Sequence, residues 1–214
     1  MSARRLEIHG REVGPFAENS YVLACAATKA CVLIDPGEAE PVLDIVREEG
    51  YTPLAIYNTH GHIDHVAGVA EVQDALGIPF YLHPADEQLV RMVPQQAAMF
   101  GLAPPPLPRI DHSLAAGQML RVGELVLEVR HVPGHSPGHV VFVVGDVVFG
   151  GDCLFAGSIG RTDIPGGNHR QLLTSIASQL LTLSDDTVVY PGHGPATSIG
   201  RERATNPFLS GHAG

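Results

Sequence analysis

Thr59-His60-Gly61-His62-Ile63-Asp64-His65 places three imidazoles and one carboxylate between positions 60 and 65. Histidine nitrogen and aspartate oxygen are donors that hold zinc-like cations at neutral pH. The residues before it, Pro53–Asn58, form a short, largely apolar run opened by a proline, which reads as a buried strand. The residues after it, Val66–Leu76, have helical spacing and stop at Gly77. The donors therefore belong to a loop where a strand ends and polar side chains converge.

One loop seldom completes a metal site, and three more donors stand downstream, each at the edge of an apolar run and beside glycine. His135 lies in Val132-Pro133-Gly134-His135-Ser136-Pro137-Gly138-His139. Asp152 follows Val147-Val148-Phe149-Gly150-Gly151, and His193 sits in Tyr190-Pro191-Gly192-His193-Gly194. Glycine lets the backbone turn sharply and removes side chains that would crowd a cation. Seven donors exceed what one tetrahedral ion takes and suit two ions sharing a carboxylate. Taken singly, such residues mean little: an isolated Gly-Asp is a turn, and a lone histidine is a polar residue. His9, His112, His131, His169 and His212 therefore read as ordinary polar residues, and His83 and His139 as hydrogen-bonding or packing groups.

The ordered set resembles the motifs of the metallo-β-lactamase-fold hydrolases, within them the short glyoxalase II-like (hydroxyacylglutathione hydrolase-like) subgroup. The match runs from Asp35-Pro36-Gly37 to Pro191-Gly192-His193-Gly194. The resemblance implies an α/β fold, a four-layer αββα sandwich, as a single domain over 1–214 without the C-terminal helical substrate domain of longer members. It implies two divalent metal ions: His60, His62 and His135 for one, Asp64, His65 and His193 for the other, and Asp152 bridging them. Zinc is expected first, with iron and manganese as alternatives for the same donors. A hydroxide bridging the ions would be the nucleophile, and the ions would stabilise the oxyanion, so no serine or cysteine nucleophile is called for. Asp64 and Asp152 are the implied catalytic residues, with Asp64 also orienting the hydroxide. Asp35 is expected to hold a ligand histidine in its proper tautomer.

The same resemblance implies hydrolysis of small thioesters, above all S-D-lactoylglutathione to D-lactate and glutathione. Arg161, at the end of Gly151-Asp152-Cys153-Leu154-Phe155-Ala156-Gly157-Ser158-Ile159-Gly160-Arg161, falls where the family places a basic residue that contacts glutathione. A guanidinium suits a carboxylate in that role. Asp163 and Pro195 stand where the family often carries tyrosines, which predicts a raised KM more than altered chemistry. The fold by itself hosts esters, lactams, phosphodiesters and persulfides as well. The second reading is a mono-iron glutathione persulfide dioxygenase, whose Gly-Arg-Thr-Asp segment resembles Gly160–Asp163 and which would use His60, His135 and Asp152. The segment Pro191-Gly192-His193-Gly194-Pro195 favours the hydrolase, and a non-catalytic scaffold would need no second set of donors.

Composition agrees. Of 214 residues, 44% are hydrophobic and 17% charged, which describes a globular chain with a large core and not a disordered one. No apolar run is long enough to span a bilayer, and the N-terminus shows no signal-peptide core, so a cytoplasmic location is expected. The formal net charge is -10, and Lys29 is the only lysine among 13 basic residues, none of them in a dense block. That argues against nucleic acid, whose affinity comes from phosphate neutralisation. The expected partner is a small-molecule thioester, with glutathione conjugates as candidates, acted on by a monomer or homodimer. Cys25, Cys31 and Cys153 lack metal-type spacing and read as buried free thiols. Strands are predicted at 4–9, 19–25, 31–35, 79–82, 117–122, 124–130, 139–144, 146–149 and 186–190, and helices at 39–49, 84–99 and 168–181. Four prolines exclude regular structure from Leu102–Pro108, which reads as a surface connector between the two halves.

Overall fold

Along Tyr21-Val22-Leu23-Ala24-Cys25 every side chain is buried, yet alternate residues enter different cores. Tyr21, Leu23 and Cys25 join one apolar cluster, while Val22 and Ala24 join another. That is the period-2 signature of a strand covered on both faces. The computed structural model describes Leu6–Leu209. His212 and the first residues of the strand predicted at 4–9 lie outside the described residues.

The strands in chain order are β1 (Leu6–Val13), β2 (Glu18–Cys25), β3 (Ala30–Ile34), β4 (Thr52–Tyr57), β5 (Phe80–Leu82), β6 (His112–Ser113), β7 (Met119–Val122), β8 (Leu125–His131), β9 (Val140–Val144), β10 (Val147–Gly151), β11 (Leu154–Phe155), β12 (Ser158–Ile159), β13 (Val188–Pro191) and β14 (Thr197–Ser198). The first sheet runs β1-β2-β3-β4-β5-β6, antiparallel to β3 and parallel thereafter. The second runs β14-β13-β10-β9-β8-β7, with β13 parallel to β10 and the other pairs antiparallel. The hairpin of β11 and β12 stands apart.

Helices α1 (Ala39–Glu49), α2 (Ile63–Val66), α3 (Val69–Leu76), α4 (Glu87–Arg91) and α5 (Val93–Met99) pack on the outer face of the first sheet through Val42, Ile45, Val69, Val72 and Val93. Helices α6 (His169–Gln179) and α7 (Ile199–Thr205) cover the second through Leu172, Ile176 and Ile199. Between the sheets lies the central cluster, with Ile34, Leu127, Phe142 and Phe149 almost fully buried. Each such side chain contributes roughly 1.5–3 kcal/mol by leaving water. The layers read helix, sheet, sheet, helix, as expected.

The predicted helix at 39–49 ends at Gly50 in the left-handed conformation (φ 64), a position without a Cβ penalty. Three predictions needed correction. The helix expected from Val66 begins at Ile63, so Asp64 and His65 sit on α2 and not in a loop, and it breaks before α3. The break lies at Gly68, where a Cβ would come 2.5 Å from the backbone of Glu38. The helix expected over 84–99 is a 3-10 turn followed by α4 and α5, with Pro94 entering the first turn of the latter. The proline segment does not join the halves: β6 follows it and still belongs to the first sheet. The three cysteines are buried and free, and Cys25 and Cys31 enter clusters on opposite faces of the first sheet.

Candidate metal centre

Parallel strands bring their C-terminal ends to one edge, and the chain spends those ends on polar residues. Asp35 follows β3, His60–His65 follow β4, Asp152 follows β10 and His193 follows β13. His135 comes from the turn between β8 and β9. Both sheets thus supply the cluster. The two are also tied there by hydrogen bonds: Asn19 Nδ2 donates to Pro191 O and Gly194 O (3.1 and 2.8 Å), and Tyr21 Oη donates to Pro191 O (2.7 Å).

All seven residues singled out as donors converge. Ligand atoms of His60, His62 and His135 lie within 4.8 Å of one another, as do those of Asp64, His65 and His193, and of His60, His65 and Asp152. His62 Nδ1 is 2.9 Å from His135 Nε2. Asp152 stands between the groups, with Oδ1 3.3 Å from His65 Nε2, and Oδ2 3.6 Å from both His135 Nε2 and His193 Nε2. Asp64 Oδ2 lies 3.2 Å from His193 Nε2 and 3.8 Å from His65 Nε2. These residues form a His/Asp metal-binding cluster.

The donor atoms fit a cation on their own evidence. His60 Nε2, His65 Nε2 and Asp152 Oδ1 are buried without a hydrogen-bond partner. Buried polar atoms left in that state cost free energy unless something else meets them. Burial, reinforced by the neighbouring His65, holds His60 well below the usual histidine range, and burial with His135 beside it takes His62 down to about 3. Both rings thus keep lone pairs free for a cation. Burial opposes the charge on His65 too, but Asp152, Asp64 and Asp35 outweigh it and hold the ring well above its ordinary value. For Asp152 the burial penalty is likewise overcome, chiefly by His65, and its carboxyl stays well below the usual range. The cluster is built to surround positive charge.

The remaining ring nitrogens are oriented from behind. Asp35 accepts from Thr59 N (2.7 Å) and Thr59 Oγ1 (2.6 Å), and its Oδ2 is 3.1 Å from His65 Nδ1. The carboxylate thus stands behind His65, where it was expected, as a charge neighbour and not as a hydrogen-bond acceptor for that ring. Thr59 Oγ1 also lies 3.0 Å from His60 Nδ1. His135 Nδ1 is bonded to Arg161 O (2.8 Å), and His193 Nδ1 to Phe16 O (3.1 Å). His139, read as a hydrogen-bonding group, accepts from Asp152 N (3.0 Å) and is fully buried. Sequence reasoning missed Glu18, whose Oε1 lies 3.7 Å from His65 Nδ1, and Asp86, which bonds to both donor loops. Neither carries a local signal.

Arg161 lies at the centre through its backbone, while its exposed guanidinium forms a two-point pair with Asp163 (2.9 and 3.0 Å). His83 and His131 stack on each other, His9 bonds to Tyr51, and His112 and His169 sit in β6 and at the start of α6. A cavity of about 440 Å³ opens beside Asp64, with Val13, Phe16, Ile63 and Leu102 on its apolar side and Glu38 and Glu71 among its polar lining. No helix among the described residues is long and apolar enough to cross a membrane.

The family model of the metallo-beta-lactamase superfamily matches residues 13–193. The hydroxyacylglutathione hydrolase GloC of Haemophilus influenzae is 38% identical over 85% of this chain and 88% of its own. Among solved structures, BLEG-1 B3 metallo-beta-lactamase is 40% identical with a TM-score of 0.88, covering 95% of this chain and 100% of the other. TTHA1623 in a di-iron-bound form is 43% identical with a TM-score of 0.85, covering 94% and 100%. ETHE1 from Myxococcus xanthus is 29% identical with a TM-score of 0.80, covering 96% and 85%.

Proposed function

The chain belongs to the metallo-β-lactamase superfamily, and from that premise we propose that it is a two-metal hydrolase of small thioesters, with S-acyl glutathione conjugates such as S-D-lactoylglutathione as its substrates. The observation that carries this reading is the pair of donor groups with Asp152 between them: His60, His62 and His135 on one side, Asp64, His65 and His193 on the other. The likeness to GloC supports the substrate class. Zinc is the expected metal, and the di-iron form of TTHA1623 keeps iron as the alternative.

Divalent cations bound there lower the pKa of water to about 7 and polarise a carbonyl oxygen. The chain's own groups do the rest. Asp64, the more exposed of the two cluster carboxylates at 17%, accepts the proton released by the attacking water and returns it to the departing sulfur. Thr59 holds His60 Nδ1 by a hydrogen bond, and the charge of Asp35 beside His65 Nδ1 favours the proton on that nitrogen, so that each ring presents its other nitrogen to the centre. The neutral acyl group enters the apolar side of the cavity beside Asp64. Glu38 and Glu71 disfavour a carboxylate in that cavity, which leaves the glutathione carboxylates to Arg161. To serve them, Arg161 must exchange its exposed partner Asp163 for substrate, a trade that exposed ion pairs permit readily.

The second reading is a mono-iron persulfide dioxygenase using His60, His135 and Asp152, and the ETHE1 structure is compatible with either reading. The complete second group around His65 favours the hydrolase. The test is hydrolysis of S-D-lactoylglutathione followed at the thioester absorbance, before chelation, after it, and after metal is restored. Metal-dependent turnover is expected, abolished in His62→Ala and Asp152→Ala while circular dichroism stays native. A fully metallated protein that leaves the thioester intact would refute the reading, and oxygen uptake with glutathione persulfide would then support the dioxygenase.

A further inference from the structure

Asp86 belongs to neither donor group, yet it touches both loops that carry His60, His62 and His135. It ends the 3-10 turn Pro84–Asp86 after β5 and is completely buried. Its Oδ2 accepts from Gly61 N (3.1 Å) and from Ser136 Oγ (2.6 Å), and its Oδ1 accepts from Gly138 N (2.6 Å). Gly61 separates His60 from His62, Ser136 follows His135, and Gly138 precedes His139. One carboxylate thus pins the donor loop of the first sheet to that of the second.

Both loops are also shaped around it. A Cβ at Gly61 would lie 2.9 Å from Asp86 O, and one at Gly138 would lie 2.7 Å from Asp86 Oδ1 and 2.8 Å from its N. Real Cβ atoms essentially never approach so closely, so the two glycines are the space Asp86 occupies. Among the described residues no arginine or lysine forms an ion pair with it. A buried carboxylate without a cationic partner is costly to keep, and here its compensation consists of hydrogen-bond donors from the two ligand loops.

We infer that Asp86 is a positioning residue of the metal centre, fixing the distance between His60 and His62 on one loop and His135 on the other. The gap it sets is the one His62 Nδ1 and His135 Nε2 span at 2.9 Å. Without the carboxylate, the turn carrying Ser136 and Gly138 is free to move away from Gly61, and the three imidazoles no longer meet at one point. The inference rests on the metal reading of the cluster and is independent of the thioester.

The experiment compares full-length wild type, Asp86→Asn and Ser136→Ala, each purified metal-free and reloaded with zinc. Asparagine preserves size but replaces one acceptor by an NH2 group that faces a backbone N–H. Zinc affinity, measured by competition with a chromophoric chelator, is expected to fall about 10- to 100-fold in Asp86→Asn. Ser136→Ala, which removes one of the three donors, is expected to shift it less and in the same direction. The readout that separates positioning from general stability is the difference in Tm between zinc-loaded and metal-free protein, which should narrow in both variants. Equal Tm losses in both forms with unchanged zinc affinity would overturn the inference. Should Asp86→Asn not fold, the Ser136→Ala affinity decides in the same way. A wild type that binds no zinc would overturn the metal reading itself, a result distinct from tight wild-type binding that the variants share.

Discussion

Replacing Asp35 separates the stability it confers from the chemistry it supports. The residue is 2% exposed and faces three groups: Thr59 N at 2.7 Å, Thr59 Oγ1 at 2.6 Å and His65 Nδ1 at 3.1 Å. In Asp35→Ala the threonine hydroxyl retains His60 Nδ1 at 3.0 Å, but Thr59 N loses its acceptor, and His65 Nδ1, which makes no hydrogen bond to Asp35, loses its nearest carboxylate. The one buried group left newly unsatisfied, Thr59 N, costs about 1–3 kcal/mol. Position 35 also has φ 49, and a left-handed alanine adds roughly 1–2 kcal/mol. Asparagine tolerates that conformation and keeps the bond from Thr59 N, so Asp35→Asn should lose far less stability. Its NH2 group, however, faces His65 Nδ1 and drives the ring proton to Nε2, the atom that lies 3.3 Å from Asp152 Oδ1. Metal affinity should therefore drop about 10- to 100-fold in a protein that remains folded. Urea denaturation of the metal-free forms and metal content after dialysis measure the two effects. An Asp35→Ala protein within about 0.5 kcal/mol of wild type, or an Asp35→Asn protein with wild-type metal affinity, would refute the reasoning.

Two other outcomes follow from the packing and the surface. Phe142 is fully buried between the sheets against Tyr57, so Phe142→Ala should cost about 3–5 kcal/mol in denaturant unfolding with metal stoichiometry unchanged; a loss below about 1 kcal/mol would mean that the centre of the sandwich collapses around the cavity. Asp163→Asn should release the Arg161 guanidinium and lower KM for S-D-lactoylglutathione a few-fold with kcat unchanged, whereas Arg161→Ala should raise KM. Identical KM values in both variants would remove Arg161 from substrate binding.

The donors were legible because they are encoded locally. His60 to His65 lie within one short stretch, and His135, Asp152 and His193 each stand beside glycine at the end of an apolar run. The long buried strands were legible for the same reason, since Val140–Val144 and Ala30–Ile34 announce themselves by composition alone. What escaped depends on contacts between distant segments. Nothing near Asp86 or Glu18 distinguishes them from surface acids until β5 and β2 bring them beneath the donor loops. The split between α2 and α3 follows from Gly68 pressing on Pro36–Ala39, a meeting that helical periodicity does not encode. β6, β11, β12 and β14 are two residues each, too short to show a period, and missing β6 is what misplaced the proline segment as a link between halves.

The cluster draws His60, His62, Asp64 and His65 from one sheet and His135, Asp152 and His193 from the other. Between those sheets the contact is largely apolar, and apolar contact has little directional preference. On the two-metal reading proposed above, cations gripped from both sides would be clasps as well as reagents. They would hold the sandwich shut at the cluster's edge and close a chain loop that reaches from β4 to β13. Loading adds binding free energy to the native state alone, so metal supply and folding become one equilibrium. A shortage of metal would then be felt as lost stability of the fold as well as lost chemistry.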